Sequence, residues 1–336
     1  MTDNLRTIST AQKPILEVQQ LEKTFVLGKS IIRQMLGRRP DHLRAVHQVN
    51  LDIYPGECLG LVGESGCGKT TLGRCILRLY EPDSGKVIFE GEDFLAMKGS
   101  ETKKMRRKMQ IVFQDPYSSL NPRMSVERIL SEASLVHGIC TLQEAPARVD
   151  YLLNMVGLGG DVAQRFPHEL SGGQRQRIGL ARALAVEPKF IVADEPVSAL
   201  DVSIQAQVIN LLVELQEKLH LTMLFITHDL RLVRYVSHRT AVMYLGSIVE
   251  LASSKTLFSD PKHPYTQALL AAAPLIDPHH RTKPPAIKGE PTNPINIGCC
   301  CPFRPRCDLA FERCSNEDPQ LNEITPGHFV ACFALE

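Results

Sequence analysis

The stretch Cys58-Leu59-Gly60-Leu61-Val62-Gly63-Glu64-Ser65-Gly66-Cys67-Gly68-Lys69-Thr70 decides how the rest of the chain is read. An apolar run ends on glycine, a loop fitting G-x-x-x-x-G-K-[ST] follows, and a helical pattern runs from Thr70 to Leu79. Strand, loop and helix in that order form a phosphate cradle: glycines let backbone N–H groups curl round an anion, and the helix start adds its positive dipole end. Gly63, Glu64, Ser65, Gly66, Cys67, Gly68, Lys69 and Thr70 make up the loop. Lys69 would reach the β- and γ-phosphates, Thr70 would offer its hydroxyl to Mg²⁺, and Thr71 would add a donor to the α-phosphate. Cys67 reads as a small side chain tolerated at a variable position.

Outward from the loop, apolar β-branched segments recur at Ile15–Val18, Val49–Ile53, Val87–Phe89, Gln110–Phe113, Phe190–Ala193, Met223–Ile226 and Thr240–Tyr244. Helical patterns lie among them at Gly173–Ala185, Ser203–Leu219 and Leu230–Tyr235. Alternating strands and helices predict an α/β sheet, and the short early strands predict an added antiparallel layer. Residues 124–170 break the rhythm with two successive helical patterns, Ser125–His137 and Gln143–Val156, and read as an inserted helical subdomain. Ile31–Arg44 reads as a basic, irregular, solvated loop. The run Lys103–Lys108 reads as a solvated helix face. After residue 260 prolines punctuate the chain around one helical run, Tyr265–Ala273, which suggests an extended linker leading to a compact cysteine-rich tail.

Composition bounds the chemistry. A chain of 336 residues can bury a sizeable core. Lys+Arg at 38 against Asp+Glu at 37 gives no global footprint for nucleic acid. No secretory pattern opens the sequence and no apolar run approaches the ~20 residues of a membrane span, so a cytosolic chain is expected. Of ten cysteines, Cys58, Cys67, Cys75 and Cys140 are scattered while the rest crowd into 299–332, which points to a local site rather than a disulfide framework.

Two further segments carry chemistry. Phe190–Glu195 is an apolar strand delivering Asp194 and Glu195 to the carboxyl edge of a sheet, Asp194 suited to a Mg²⁺ shell and Glu195 to polarising an attacking water. Alone, it could equally be a strand followed by a solvated acidic turn. Leu170-Ser171-Gly172-Gly173-Gln174 opens an amphipathic helix, so Ser171 and the glycine N–H groups sit where an anion binds. Alone, that would be a turn and an N-cap. Two anion-binding helix starts in one domain imply two phosphates, or one phosphate held between two copies.

The order phosphate loop, Gln114, Leu170–Gln174, Asp194-Glu195, Ser198-Ala199-Leu200-Asp201 and His228 resembles the ATP-binding cassette (ABC) proteins. The resemblance implies a P-loop NTPase ABC ATPase domain over residues 15–260, after a flexible start at 1–14. In that family two domains pair head to tail, so Ser171, Gly172, Gly173 and Gln174 would serve a partner's nucleotide and Asp201 would cross to the partner. Gln114 would sense Mg²⁺ and water, completing a Mg²⁺ shell with Thr70 and Asp194. Glu195 and His228 would act with Gln114 in catalysis, and Phe25 would stack on adenine, core packing being its plainer role. Gln114–Arg123, Glu195–Ser203, Met243–Gly246 and His263–Thr266 resemble the oligopeptide and dipeptide importers, nearest to the second ATPase of a dipeptide importer.

The tail carries Cys301, Cys307, Cys314 and Cys332 with five, six and seventeen residues between them, without paired C-x₂-C knuckles. Thiolates in a reducing compartment suit a soft centre, Zn²⁺ or iron–sulfur. The resemblance extends to this quartet, which in peptide-importer ATPases holds a [4Fe-4S] cluster; Cys299 and Cys300 compete with Cys301 as the first ligand, and a cysteine-rich C-terminal domain over 261–336 is implied.

The function so implied is that of an ATPase subunit of a bacterial importer, peripheral on the cytoplasmic side of the inner membrane and driving uptake of dipeptides or oligopeptides. Its expected partners are a sister ABC ATPase in a head-to-tail heterodimer, two transmembrane permease subunits and an extracytoplasmic solute-binding protein, with no nucleic acid. The alternatives are a soluble cassette ATPase acting on DNA or ribosomes, and an importer of nickel, an oligosaccharide or glutathione. DNA-repair members interpose long coiled coils before the position of Ser171, whereas here only residues 71–170 intervene.

Overall fold

The computed structural model describes residues 13–27, 40–272, 295–298 and 300–335. Its strands are β1 Leu16–Leu27, β2 Asp41–Ile53, β3 Cys58–Val62, β4 Ser84–Phe89, β5 Glu92–Asp93, β6 Met109–Val112, β7 Phe190–Asp194, β8 Thr222–Ile226, β9 Arg239–Tyr244, β10 Ser247–Ser253, β11 Asn322–Thr325 and β12 His328–Val330. The residues fall into two compact units, one drawn from Met1–Ile53, Leu59–Leu95 and His228–Glu336, the other from Tyr54–Cys58 and Ala96–Thr227.

In the first unit an antiparallel sheet runs β2-β1-β4-β5. Its register sets Leu16 opposite Ile53 on one side and opposite Phe89 on the other, so the apolar residues share a buried face. The expected antiparallel layer is therefore present, but β2 begins at Asp41 and pairs as far as Leu27. Residues 41–44 thus belong to a strand and not to the irregular loop predicted over Ile31–Arg44. Alternation there is masked by polar side chains on a half-exposed ladder; residues 28–39 lie outside the described set.

The same unit holds β3 paired in parallel with β9, β9 antiparallel to β10, β10 to β12, and β12 to β11. Every residue of β3 is buried, which accounts for its continuous apolar run. Gly60 lets the helix Leu230–Val236 and Ser237 lie close, because a Cβ there would stand 2.6 Å from Val233 Cγ1 and from Ser237 Oγ. β10 and the β11–β12 hairpin are absent from the sequence-based reading. They tie the tail to the sheet, with Glu250 opposite Val330 and Leu251 opposite Phe329.

In the second unit β6, β7 and β8 are parallel, Met109 opposite Phe190 and Phe190 opposite Thr222. The predicted inserted helices form as Val126–Val136 and Ala145–Met155. Ser125 caps the first, its Oγ accepting the Arg128 N–H at 3.4 Å. Buried Ser134 donates to Leu130 O and Ala185 O, fastening that helix to the residue that ends helix Gly172–Leu184. Lys103–Lys108 is helical as expected, within Ser100–Lys108.

Candidate nucleotide site

The phosphate loop leaves β3 and enters the helix Lys69–Ile76. Lys69 is only 4 % exposed and donates to Gly63 O at 2.8 Å and Glu64 O at 3.0 Å, which holds its ammonium over the loop it closes. Cys67, read from the sequence as a small side chain tolerated at a variable position, is fitted closely into the loop. Its side chain is buried against Lys69, its carbonyl accepts the Gly246 N–H at 2.8 Å, and burial pushes its thiol pKa up. Gly68 has φ 111° and its missing Cβ would strike Ala45 O. Gly68→Ala is expected to lower stability by at least about 1–2 kcal/mol, the cost of a left-handed alanine, and to weaken ATP binding. Thermal unfolding and titration with a non-hydrolysable ATP analogue check this.

The second unit brings Gln114 and Glu195 together. Asp194 ends β7 at 1 % exposure, and Glu195 follows at φ 44°, its N–H donating to Ile226 O at 2.9 Å. That kink turns the Glu195 carboxylate out of the strand, and Gln114 Nε2 donates to it at 3.0 Å. With its nitrogen engaged, Gln114 presents its carbonyl oxygen as the atom suited to a cation. Thr70 in the first unit, and Gln114 and Asp194 in the second, each carry an oxygen donor of the kind Mg²⁺ takes.

Ser171 and Gln174 form a capping box at the start of helix Gly172–Leu184, Ser171 Oγ accepting the Gln174 N–H at 3.3 Å and Gln174 Oε1 accepting the Ser171 N–H at 3.0 Å. The box engages the backbone N–H groups of Ser171 and Gln174, while the Ser171 hydroxyl serves in it as an acceptor and the Gly172 and Gly173 N–H groups take no part in it. Gly173 lies against Ile204, whose Cγ2 a Cβ would meet at 2.5 Å. Sequence reasoning missed Arg175: its guanidinium lies 3.8 Å from the centroid of the Tyr117 ring and donates to Pro167 O, locking the helix start to the segment after Gln114. Its place directly after Gln174 is the only signal that could have found it.

The other predicted residues stand as follows. Asp201 is exposed and makes no side-chain cap bond to its helix, Val202–Leu219. His228 is exposed and precedes Asp229, whose carboxylate caps the next helix through the Arg231 N–H and is held below the usual range by the Arg231 guanidinium. Phe25 is half-buried, edge-on to Tyr80 at 5.6 Å.

Cys301, Cys307, Cys314 and Cys332 line one cavity of about 20 Å³ together with His263 and Phe303. Burial pushes the Cys301 thiol up to about 11 and raises Cys307 as well. Four thiols lining one cavity have the donor chemistry of an iron–sulfur centre. However, among the described residues no three His, Cys, Asp or Glu side chains are disposed to hold a metal ion, so the geometry does not support the predicted zinc or cluster by itself. Cys299 lies outside the described residues.

A strand-loop-helix phosphate cradle, an acid-tipped buried strand and a capped Ser-Gly-Gly-Gln helix define an ATP-hydrolysing cassette. The family model described as "ABC transporter" matches residues 46–198, and that described as "Oligopeptide/dipeptide transporter, C-terminal region" matches 249–314. A Brucella ovis protein provisionally named a peptide import ATP-binding protein is 50% identical over 96% of this chain and 98% of its own. The oligopeptide transport ATP-binding protein AppF of Bacillus subtilis is 47% identical over 96% and 97%. Among solved structures, cbiO1 of Clostridium perfringens, part of an ABC transporter complex, superposes with a TM-score of 0.63 at 28% identity, covering 74% of this chain and 92% of that one. An ATP-binding cassette dimer bound to ADP and phosphate matches at 0.61 and 29%, covering 71% and 98%. The chain belongs to the ABC transporter ATPases, in the group that carries the oligopeptide/dipeptide transporter C-terminal region.

Proposed function

We propose that the chain is the ATP-hydrolysing subunit of an importer of dipeptides or oligopeptides. The observation that carries this reading is end-to-end similarity to proteins named for peptide transport, reaching into the C-terminal region. The phosphate loop Gly63–Thr70 holds the phosphates, with Lys69 neutralising charge and Thr71 adding a donor. Thr70, Gln114 and Asp194 hold Mg²⁺, which when bound neutralises charge on the phosphates. Glu195 orients and polarises the attacking water, His228 contacts the γ-phosphate, and Phe25 stacks on adenine. Catalysis of this kind rests on positioning and charge neutralisation more than on covalent chemistry.

Ser171, Gly172, Gly173, Gln174 and Asp201 serve the nucleotide of a sister ATPase in a head-to-tail pair. The pair docks on two permease subunits at the cytoplasmic face, and a solute-binding protein delivers peptide from the other side. Among the described residues no helix is long and apolar enough to cross a membrane. Purifying the full chain from native membranes is expected to bring two permeases and a second ATPase; ribosomes or DNA-repair factors in their place would overturn the reading.

The tail quartet is proposed as the ligand set of a [4Fe-4S] cluster, supported by four thiols lining one cavity. A single ion would need the sulfurs about 2.3 Å from one point, whereas a cluster spreads its ligands over several irons. Anaerobically purified protein should be brown and contain iron and acid-labile sulfide, and Cys307→Ser should bleach it. A colourless preparation with one zinc per chain would decide against the cluster.

A further inference from the structure

The phosphate loop of this chain carries an acid at its second position. Glu64 follows Gly63 directly, in a loop whose purpose is to hold a polyanion. A carboxylate there opposes phosphate binding unless its charge is countered. The counter-charge comes from the tail: Arg306, its side chain 5 % exposed, forks onto the carboxylate with Nη1 at 3.0 Å from Oε2 and Nη2 at 3.2 Å from Oε1. Nη1 also donates to Tyr244 Oη at 3.3 Å. A part-buried fork of this kind fixes direction as well as charge.

A second contact from the C-terminal segments reaches the same residue. The Glu64 N–H donates to Tyr265 Oη at 2.9 Å. Tyr265 packs against Tyr244 at 4.6 Å and Phe303 at 5.5 Å, and Phe303 meets Tyr244 edge-on at 5.3 Å. Phe303 and Arg306 lie between Cys301 and Cys307, so the cysteine-bearing segment is itself the support of the loop. Both the backbone and the side chain of Glu64 are therefore held from beyond residue 243.

We propose that Arg306 is a positioning residue for nucleotide binding: it neutralises Glu64 and draws its carboxylate away from the phosphates, so that the C-terminal segment sets the affinity of the phosphate loop. This rests on the reading of Gly63–Thr70 as the nucleotide site. Arg306 itself touches no phosphate; its effect passes through Glu64. A merely structural Arg306 predicts that any loss of the fork is equally harmful, whereas charge neutralisation predicts that removing the acid rescues removal of the base.

The test is a titration of the full chain with Mg-AMP-PNP at moderate salt, with circular dichroism and thermal unfolding to confirm the fold. Arg306→Ala should raise the Kd on the order of tenfold, the size expected for an uncompensated partly buried charge facing an anion. Adding Glu64→Gln to that variant should recover most of the loss, and high salt should narrow the gap. Glu64→Gln alone, which keeps the loop's shape, should bind more tightly than wild type, and it keeps the proposal testable if Arg306→Ala folds poorly. Unchanged binding by Arg306→Ala, or a double variant as weak as the single one, overturns the inference while leaving the nucleotide site intact. Failure of the wild-type chain to bind the analogue overturns the site and the inference together.

Discussion

Glu195→Gln is expected to cut ATP turnover of the assembled transporter by about 10²–10⁴-fold, the usual contribution of a positioned general base, while leaving ATP affinity near wild type. The structure explains why the substitution removes chemistry and not architecture. Glu195 stands at φ 44° because its N–H is anchored to Ile226 O, and a glutamine keeps both the anchor and the backbone conformation. The Gln114 amide, which donates to the carboxylate at 3.0 Å, can donate equally to a carboxamide oxygen. Only the carboxylate proposed to polarise water is lost. The ATP-bound pair of ATPases should then persist longer than in the wild type, visible as an ATP-dependent shift in sedimentation. Phosphate release at near wild-type rates would remove Glu195 from the catalytic role.

Glu250→Ala should lower the stability of the chain by about 3–5 kcal/mol, since three hydrogen-bond donors lose their acceptor at about 1–3 kcal/mol each. Glu250 sits in β10 at 0 % exposure, where a carboxylate survives only if fully partnered. It accepts the Lys262 N–H at 2.8 Å, the His263 N–H at 3.0 Å and the His328 Nε2–H at 2.7 Å. One carboxylate thereby fastens β10 to β12 and to the turn that precedes helix Pro264–Ala272. Its loss leaves the buried His328 ring, the buried His263 N–H and the part-buried Lys262 N–H without that acceptor. His263 adds to the dryness of this junction: burial pushes its pKa down to about 3, and its Nδ1 accepts the Tyr265 N–H at 3.0 Å. Urea denaturation measures the effect; a loss below about 1 kcal/mol would show that β10 and the tail are held by apolar packing instead.

The same residue marks the boundary of what the sequence could say. β3 was legible to the residue, Cys58–Val62, because a five-residue apolar run ending on a phosphate loop has no other reading. The strands Phe190–Asp194 and Thr222–Ile226 each run one residue beyond the predicted bounds for the same reason, since parallel strands covered on both faces read as unbroken apolar runs. β10 was not legible, since a glutamate in mid-run reads as exposed, and its partners lie 12, 13 and 78 residues away.

The site divides along the same line. Lys69, Asp194, Glu195 and the Ser171–Gln174 helix start were visible because their chemistry is carried by contiguous residues. Arg175 over Tyr117 and Arg306 on Glu64 were not, because an arginine's partner is set by tertiary packing and not by spacing. The burial of Cys67 was not visible for a related cause: it depends on the loop closing against Lys69, which no local pattern reveals.

The central claim, that this chain converts ATP hydrolysis into peptide uptake, is tested most directly in proteoliposomes. The chain would be reconstituted with the permeases and ATPase that co-purify with it, together with the solute-binding protein, and accumulation of a radiolabelled dipeptide followed. Uptake should require Mg-ATP and disappear when Glu195→Gln replaces the wild-type chain. ATP hydrolysis that proceeds with no peptide accumulation, or accumulation that continues without this chain, would contradict the account.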